Sequence, residues 1–169
     1  MPDIREEQAD DVPFVHGVNA LAFPTEAEAN LVDVLRETAR PLISLVAVDN
    51  GEVVGHIMFT PVRLLGCPSL NIMGLAPMAV IPGRQRRRIG TKLVNEGLKR
   101  CREIGAGAVV VLGHPAYYPR FGFEPAARKK IDCEYDVPPE AFMIIELTVD
   151  YLSGAEGTIR YHGAFAETT

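Results

Sequence analysis

A chain of 169 residues, 47% hydrophobic and 23% charged, is long enough to bury a real core and fits one soluble globular domain. The formal net charge of −5 gives no wide basic footprint for nucleic acid, and no apolar run approaches the roughly 20 residues of a membrane span. The polar start, Met1 to Glu7, is not a secretory signal, and Cys67, Cys101 and Cys133 are too few and too scattered for a disulfide framework or a zinc site, which points to reduced thiols in a cytoplasmic protein with no bound metal.

In chain order, Asp3 to Gln8 predicts a short first strand. Asp10 and Asp11 supply a cap for a helix running to about Phe23, with Val12, Val15, Val18 and Leu21 as its apolar positions. Thr25 to Glu28 fits a capping box, and Leu31, Val34 and Leu35 continue a second helix that stops before Pro41. Two helices this early would lie over one side of a central sheet, where they either wall a substrate cleft or only pack on the core. Leu42 to Val48 reads as the next strand. Asn50-Gly51 tolerates the positive φ angles of a type I′ turn, and the chain returns as a strand from Val53 towards Leu65, interrupted by Pro61.

Asn71 to Ile81 is a near-continuous apolar run, ended by Pro82-Gly83, and reads as the central strand. Pro77 cannot donate to a ladder, so it marks a bulge that turns Met78 to Val80 away from the neighbouring parallel strand. Arg84-Gln85-Arg86-Arg87-Arg88 then opens a helix whose apolar face carries Ile89, Leu93, Leu98, Cys101 and Ile104, with Gly105 ending it. Ala108 to Leu112 is a β-branched run of the kind buried on both faces, so strand, helix and strand form a βαβ unit with a right-handed crossover. Arginines at a helix N-terminus face the positive end of the macrodipole, each unfavourable by roughly 0.3–1 kcal/mol. An anion in the turn relieves that: the free N–H groups of the first helical turn bind phosphate and the arginines add charge. A solvated basic face is the bland alternative. Ligands of open α/β sheets collect outside the carboxyl ends of strands, which is where this turn lies.

Gly113 to Phe123 is aromatic and turn-rich, and predicts a short helical turn followed by the start of a strand. Lys129 to Pro139 reads as a long surface loop, and Phe142 to Leu147 as a final strand. From Leu152 there is little regular signal.

Val80-Ile81-Pro82-Gly83-Arg84-Gln85-Arg86-Arg87-Arg88-Ile89-Gly90 resembles motif A of the GNAT superfamily of N-acetyltransferases, Gln/Arg-x-x-Gly-x-Gly/Ala between a strand and a helix. Tyr118-Pro119-Arg120-Phe121-Gly122-Phe123 resembles the Tyr-x-x-x-Gly-Phe of the same family. Gly113 to Phe123, Tyr135 to Pro138, Ala141 to Met143 and Gly157 to His162 are similar to its bacterial YhbS-like branch, so the likeness covers nearly the whole chain. The resemblance implies an α/β (α+β) fold of GNAT type. Its central sheet is mixed and mostly antiparallel, with one parallel βαβ pair splayed at a bulge and helices on both sides. It implies a single domain over residues 1–169, with 151–169 as a C-terminal extension.

The resemblance further implies acetyl-coenzyme A as cosubstrate and no metal. Its pyrophosphate would sit on the backbone N–H groups from Arg86 through Arg87, Arg88, Ile89 and Gly90 to Thr91, beside Gln85. The side chains of Arg84, Arg86 and Arg87 would neutralise it or reach the 3′-phosphate. The pantetheine arm would lie like a false strand along Met78, Ala79 and Val80. One departure is that Arg88 replaces the first motif glycine while Gly90 is retained; arginine still supplies the N–H provided its φ is negative.

The implied reaction is direct attack of a neutral primary amine on the thioester carbonyl in a ternary complex. A backbone N–H near Met78 to Val80 would stabilise the oxyanion. Tyr118 matches the position of the family's acid, and a phenol of pKa about 10 protonates a thiolate of about 8–9 at modest cost. A packed aromatic with a bonded hydroxyl is the alternative role for Tyr118, and Tyr117 is its neighbour and competitor. No single base stands out: His114, at the carboxyl end of a parallel strand, leads Glu124, His56 and a water chain. The acceptor would be a small-molecule or peptide amine. Glu26, Glu28, Asp132, Glu134 and Asp136 either favour a cationic one or are solvated surface. Neither nucleic acid nor membrane is expected as a partner, and homodimers are common in the resembled family. A longer acyl donor, or a non-catalytic acyl-coenzyme A sensor, are the competing readings; a Walker motif is absent, which argues against an NTPase.

Overall fold

The computed structural model describes residues 2–85 and 88–167, so Arg86 and Arg87 lie outside the described residues. The elements are β1 (Asp3–Glu6), α1 (Val12–Ala22), α2 (Ala27–Thr38), β2 (Ile43–Asp49), β3 (Glu52–Leu64), β4 (Ile72–Val80), α3 (Ile89–Glu103), β5 (Ala108–Leu112), β6 (Glu124–Pro125), β7 (Ile131–Cys133), β8 (Phe142–Glu146) and β9 (Gly157–Arg160). Contacts divide the chain into two units, one of residues 1–60, 76–97 and 163–169, the other of 61–75 and 98–162; β3, β4 and α3 contribute to both.

In the first unit the strand order is β1-β2-β3-β4. β2 and β3 form a hairpin in which Asp49 pairs with Glu52, and Asn50 and Gly51 at φ 52° and 78° make the expected left-handed turn. α1 buries Val15, Val18 and Asn19, and α2 buries Ala29, Leu31, Val32 and Leu35. Leu21 and Val34, expected on those faces, are 65% and 44% exposed because each sits off its helix's buried stripe. Asp11 does not cap α1. Its carboxylate instead accepts from the Gln8 N–H at 2.7 Å and from Arg5 at 2.6 Å, which holds it below the usual carboxylate range. Arg36 of α2 grips Glu7 in a fork at 2.9 and 2.7 Å and reaches Asp33 at 2.8 Å. A cleft of about 580 Å³ opens beside these groups, lined by Val12, Pro13, His16, Asp33, Arg36 and Glu37.

α3 is seated on β3 through two missing side chains. A Cβ on Gly55 would meet Ile89 at 3.1 Å and Leu93 at 3.2 Å, and a Cβ on Gly97 would fall 2.2 Å from the buried Phe59 ring. The helix therefore packs on the strand with no side chain at those two points, and Ile89 and Leu93 seat its first turns against Gly55.

In the second unit the order is β3-β4-β5-β8-β6, with β7 and β9 added alongside β3. β4 and β5 are parallel, Ile72–Leu75 against Ala108–Val111, while β5 and β8 are antiparallel from Ala108↔Glu146 to Leu112↔Phe142. The core holds Val62, Leu64, Ile72, Val110, Ile131, Phe142, Ile144, Leu152 and Ile159. Four expectations are corrected. β3 passes through Pro61 without interruption, since proline's fixed φ suits an extended strand wherever no N–H is required of it. The expected loop after Lys129 contains β7, and the tail contains β9; each is too short for alternation to be read, yet Ile131 and Ile159 are fully buried. Ile104 lies past the end of α3 and is exposed.

Gly97→Ala should lower unfolding free energy by about 1–3 kcal/mol despite alanine's better helix propensity, because overpacking against Phe59 outweighs it. Denaturant melts measure this, and an unchanged or raised midpoint would show that the Phe59 ring gives way freely.

Candidate active site

The parallel ladder ends at Leu75↔Val111, whereas β4 runs on to Val80. Pro77 lies two residues past the last rung, followed by half-buried Met78, buried Ala79 and half-buried Val80. The chain then turns tightly. The Ile81 N–H donates to the Val54 carbonyl at 3.0 Å, the Arg84 N–H to the Ile81 carbonyl at 2.9 Å, and the Gln85 side-chain amide to the Val80 carbonyl at 3.0 Å. Gln85 thus ties the end of the strand to the start of the turn. Arg84 is engaged differently from expectation: its guanidinium is paired with Asp49 and lies 3.9 Å from Glu52, both beside the β2–β3 turn. That pairing offsets one cation of the turn with the protein's own carboxylates.

α3 begins at Ile89, and its first intrahelical bond runs from the Lys92 N–H to the Arg88 carbonyl at 3.0 Å. The N–H groups of Ile89, Gly90 and Thr91 therefore precede the helical ladder and, among the described residues, have no intrahelical acceptor. Arg88 has φ 63°, so the expectation of a negative angle there is overturned. The turn needs a left-handed residue at this point, which glycine supplies without cost, and an L side chain is strained there by about 1–2 kcal/mol. The first motif glycine is thus replaced by arginine at a position whose φ is one that glycine adopts without strain.

In the second unit Tyr118 opens a short 3₁₀ turn, Tyr118–Phe121, that ends on left-handed Gly122. The Tyr117 and Tyr118 N–H groups both point at the His114 carbonyl, at 3.0 and 3.5 Å. The Tyr118 ring is buried, edge-on to Tyr117 at 5.1 Å and to Phe123 at 5.7 Å. Burial, with a lesser contribution from Tyr117, pushes its phenol up to about 12. Its hydroxyl is not among the fully enclosed polar atoms, and among the described residues it has no hydrogen-bond partner. Tyr117 is half-buried under the Arg120 guanidinium, 4.3 Å above its ring. His114 is exposed, and Glu124 is half-buried on β6 opposite Ile144.

His56 proves to be a different kind of residue from a base. It is fully buried, its Nδ1 taking a hydrogen from Asn19 at 3.1 Å and its Nε2 bonded to the Ser44 hydroxyl at 2.9 Å. Ser44 in turn donates to Glu7 at 3.1 Å. Desolvation drives its pKa down to about 3, so the ring stays neutral and pinned. Asn19 and Ser44 were not legible as members of this network, although an asparagine on the apolar stripe of α1 is a buried-polar signal in itself. Among the described residues no cluster of histidine, cysteine and carboxylate side chains could hold a metal.

A parallel pair whose first strand runs on into a tight turn ahead of a helix N-terminus is the arrangement these elements form. The family model for the acetyltransferase (GNAT) domain matches residues 3–126, and the chain belongs to that family of N-acetyltransferases. Within it the likeness is to YhbS of Escherichia coli K12, described as an uncharacterized N-acetyltransferase, at 39% identity over 96% of this chain and 97% of that protein. The crystal structure of E. coli YhbS in complex with CoA superposes with a TM-score of 0.92 at 38% identity, covering 98% of this chain and 92% of that one. A GNAT acetyltransferase from Brucella melitensis in complex with acetyl-CoA gives 0.80 at 34% identity, covering 98% of each chain.

Arg88→Gly should raise unfolding free energy by about 1 kcal/mol through relief of the left-handed side chain, read as a shifted denaturation midpoint. A second expectation follows from His56. An unfolded histidine binds a proton near pH 6.5, the buried ring only near 3, so the unfolded state gains protons first as pH falls. The stabilisation from the neutral ring is complete above pH 6.5 and declines below it by up to about 1.4 kcal/mol per pH unit. Melts of wild type and His56→Gln between pH 7.5 and 4.5 should show the steeper decline in wild type; equal slopes would place the acid sensitivity elsewhere.

Proposed function

We propose that this chain transfers the acetyl group of acetyl-coenzyme A to a primary amine. The observation that carries the reading is the continuation of β4 past its last parallel rung into a turn that ends on the N–H groups of Ile89, Gly90 and Thr91. Those groups, with the positive end of the α3 dipole, suit a diphosphate. The motif positions Arg86, Arg87 and Arg88 add charge, and the backbone of Met78, Ala79 and Val80 is the edge for an amide-bearing pantetheine arm. The complexes of YhbS with CoA and of the Brucella protein with acetyl-CoA support the same ligand here.

In the reaction the amine nitrogen attacks the thioester carbonyl, a C–N bond forms and the C–S bond breaks. The attacking nitrogen gives up one proton to His114, Tyr118 donates its phenolic proton to the departing sulfur, and the proton held by His114 returns through water to restore the phenol. A phenol at about 12 lies roughly 3.5 units above a thiol of pKa about 8.5, a deficit of about 5 kcal/mol for complete transfer in the ground state. The proton therefore moves with C–S cleavage, as the sulfur gains charge, and no free phenolate accumulates. His114, exposed at the end of β5, is the leading group for taking the amine proton.

Calorimetry with acetyl-coenzyme A and thioester consumption with a panel of primary amines test the reading. Tyr118→Phe should leave cofactor affinity unchanged and lower kcat by about 10²-fold or more. Absence of binding heat would sink the proposal, and full turnover by Tyr118→Phe would remove the acid from it.

A further inference from the structure

We infer that Gly113 is the positioning residue of the transfer reaction: its missing side chain is the slot that holds the Tyr118 ring. The inference rests on the reading of Tyr118 as the acid. A Cβ on Gly113 would lie 2.3 Å from Tyr118 Cε2, 2.9 Å from Cδ2 and 3.3 Å from Cζ. The contact is with the ring edge that leads to the hydroxyl, and not with a flexible chain end.

Three features make this a device for aiming the phenol. The Gly113 backbone is immobilised, because its N–H donates to the Ala141 carbonyl at 3.0 Å, one residue on from the Leu112↔Phe142 rung. The ring cannot move away freely, since Tyr117 at 5.1 Å, Phe123 at 5.7 Å and Phe121 at 6.3 Å surround it. The glycine is also not needed for its backbone angle. Unlike Gly122 at φ 104°, Gly113 does not adopt a left-handed conformation, so alanine suits its backbone and only the ring objects. The same loop closes on itself through the His114 carbonyl, which receives the N–H groups of Tyr117 and Tyr118. Strand β5 thus delivers the slot and the ring in one turn, and the position of the Oη atom depends on a hydrogen in place of a methyl group.

Gly113→Ala, Tyr118→Phe and the double variant separate the possibilities. Acetyl-coenzyme A consumption is followed with spermidine, L-lysine methyl ester and an alanyl peptide as amines. A contact of 2.3 Å forces the ring to shift by about 1 Å, so Gly113→Ala should lower kcat by roughly 10²-fold with the KM for acetyl-coenzyme A unchanged. In the Tyr118→Phe background the same substitution should cost little more in kcat. A crystal structure of Gly113→Ala should show a displaced Tyr118 ring in an otherwise intact turn.

The inference is overturned if Gly113→Ala keeps wild-type kcat, if its cost is undiminished in the Tyr118→Phe background, or if the ring has not moved. Full activity in Tyr118→Phe alone would instead overturn the reading of the acid. An unfolded Gly113→Ala is recognised by its melt; recovery of the fold when Tyr118→Leu removes the ring from that background then supports the slot, and no recovery overturns it.

Discussion

Everything proposed for the first unit depends on how closely α3 can lie on β3. Gly55 and Gly97 lack the atoms that would hold the helix away, and Ile89, Leu93 and Phe59 fill the space. Because Ile89 is both the first helical residue and a packed one, the helix cannot start earlier or later without losing core contact. The N–H groups of Ile89, Gly90 and Thr91 are therefore held at one place by apolar packing beneath them. The strained angle at Arg88 fits this account: the chain must bend into a helix whose start is already set, and the residue at the bend takes the left-handed conformation whatever its side chain.

Burial does comparable work on two aromatic side chains of opposite acid–base character. It holds the phenol of Tyr118 protonated up to about pH 12 and the imidazole of His56 unprotonated down to about 3. The consequences differ because their polar atoms differ in freedom. Both ring nitrogens of His56 are engaged by Asn19 and Ser44, so the ring is a structural tie among α1, β2 and β3. The Tyr118 hydroxyl has no such partner among the described residues, which leaves it able to give its hydrogen to a reacting atom. What their heteroatoms touch thus separates the tied ring of His56 from the unpartnered hydroxyl of Tyr118, and the pKa alone does not.

Much of this was legible in the residues. The apolar run through Val80, Pro77 within it, the arginine turn and the aromatic segment at Tyr118 all carried recognisable local chemistry, and the family resemblance joined them in order. What escaped was of two kinds. β7 and β9 have three and four residues, too few for periodicity, and exist because Ile131 and Ile159 enter a core assembled from distant segments. Arg84, counted among the phosphate-binding cations, is claimed by Asp49 and Glu52, an outcome set by a hairpin more than thirty residues away.

By itself the sequence determined the order of strands and helices around the turn and the type I′ hairpin at Asn50-Gly51, because each is encoded by residue types within a short window, and its separated motifs in order carried the resemblance to the GNAT family. The tertiary structure decided which of those residues are free to act. It made His56 inert, bound Arg84 to carboxylates, put Arg88 in a glycine conformation and gave the Tyr118 ring its slot at Gly113. Each of those outcomes depends on the close approach of a side chain to atoms remote in the chain or hidden by a turn, and distance in space is a quantity that residue order does not contain.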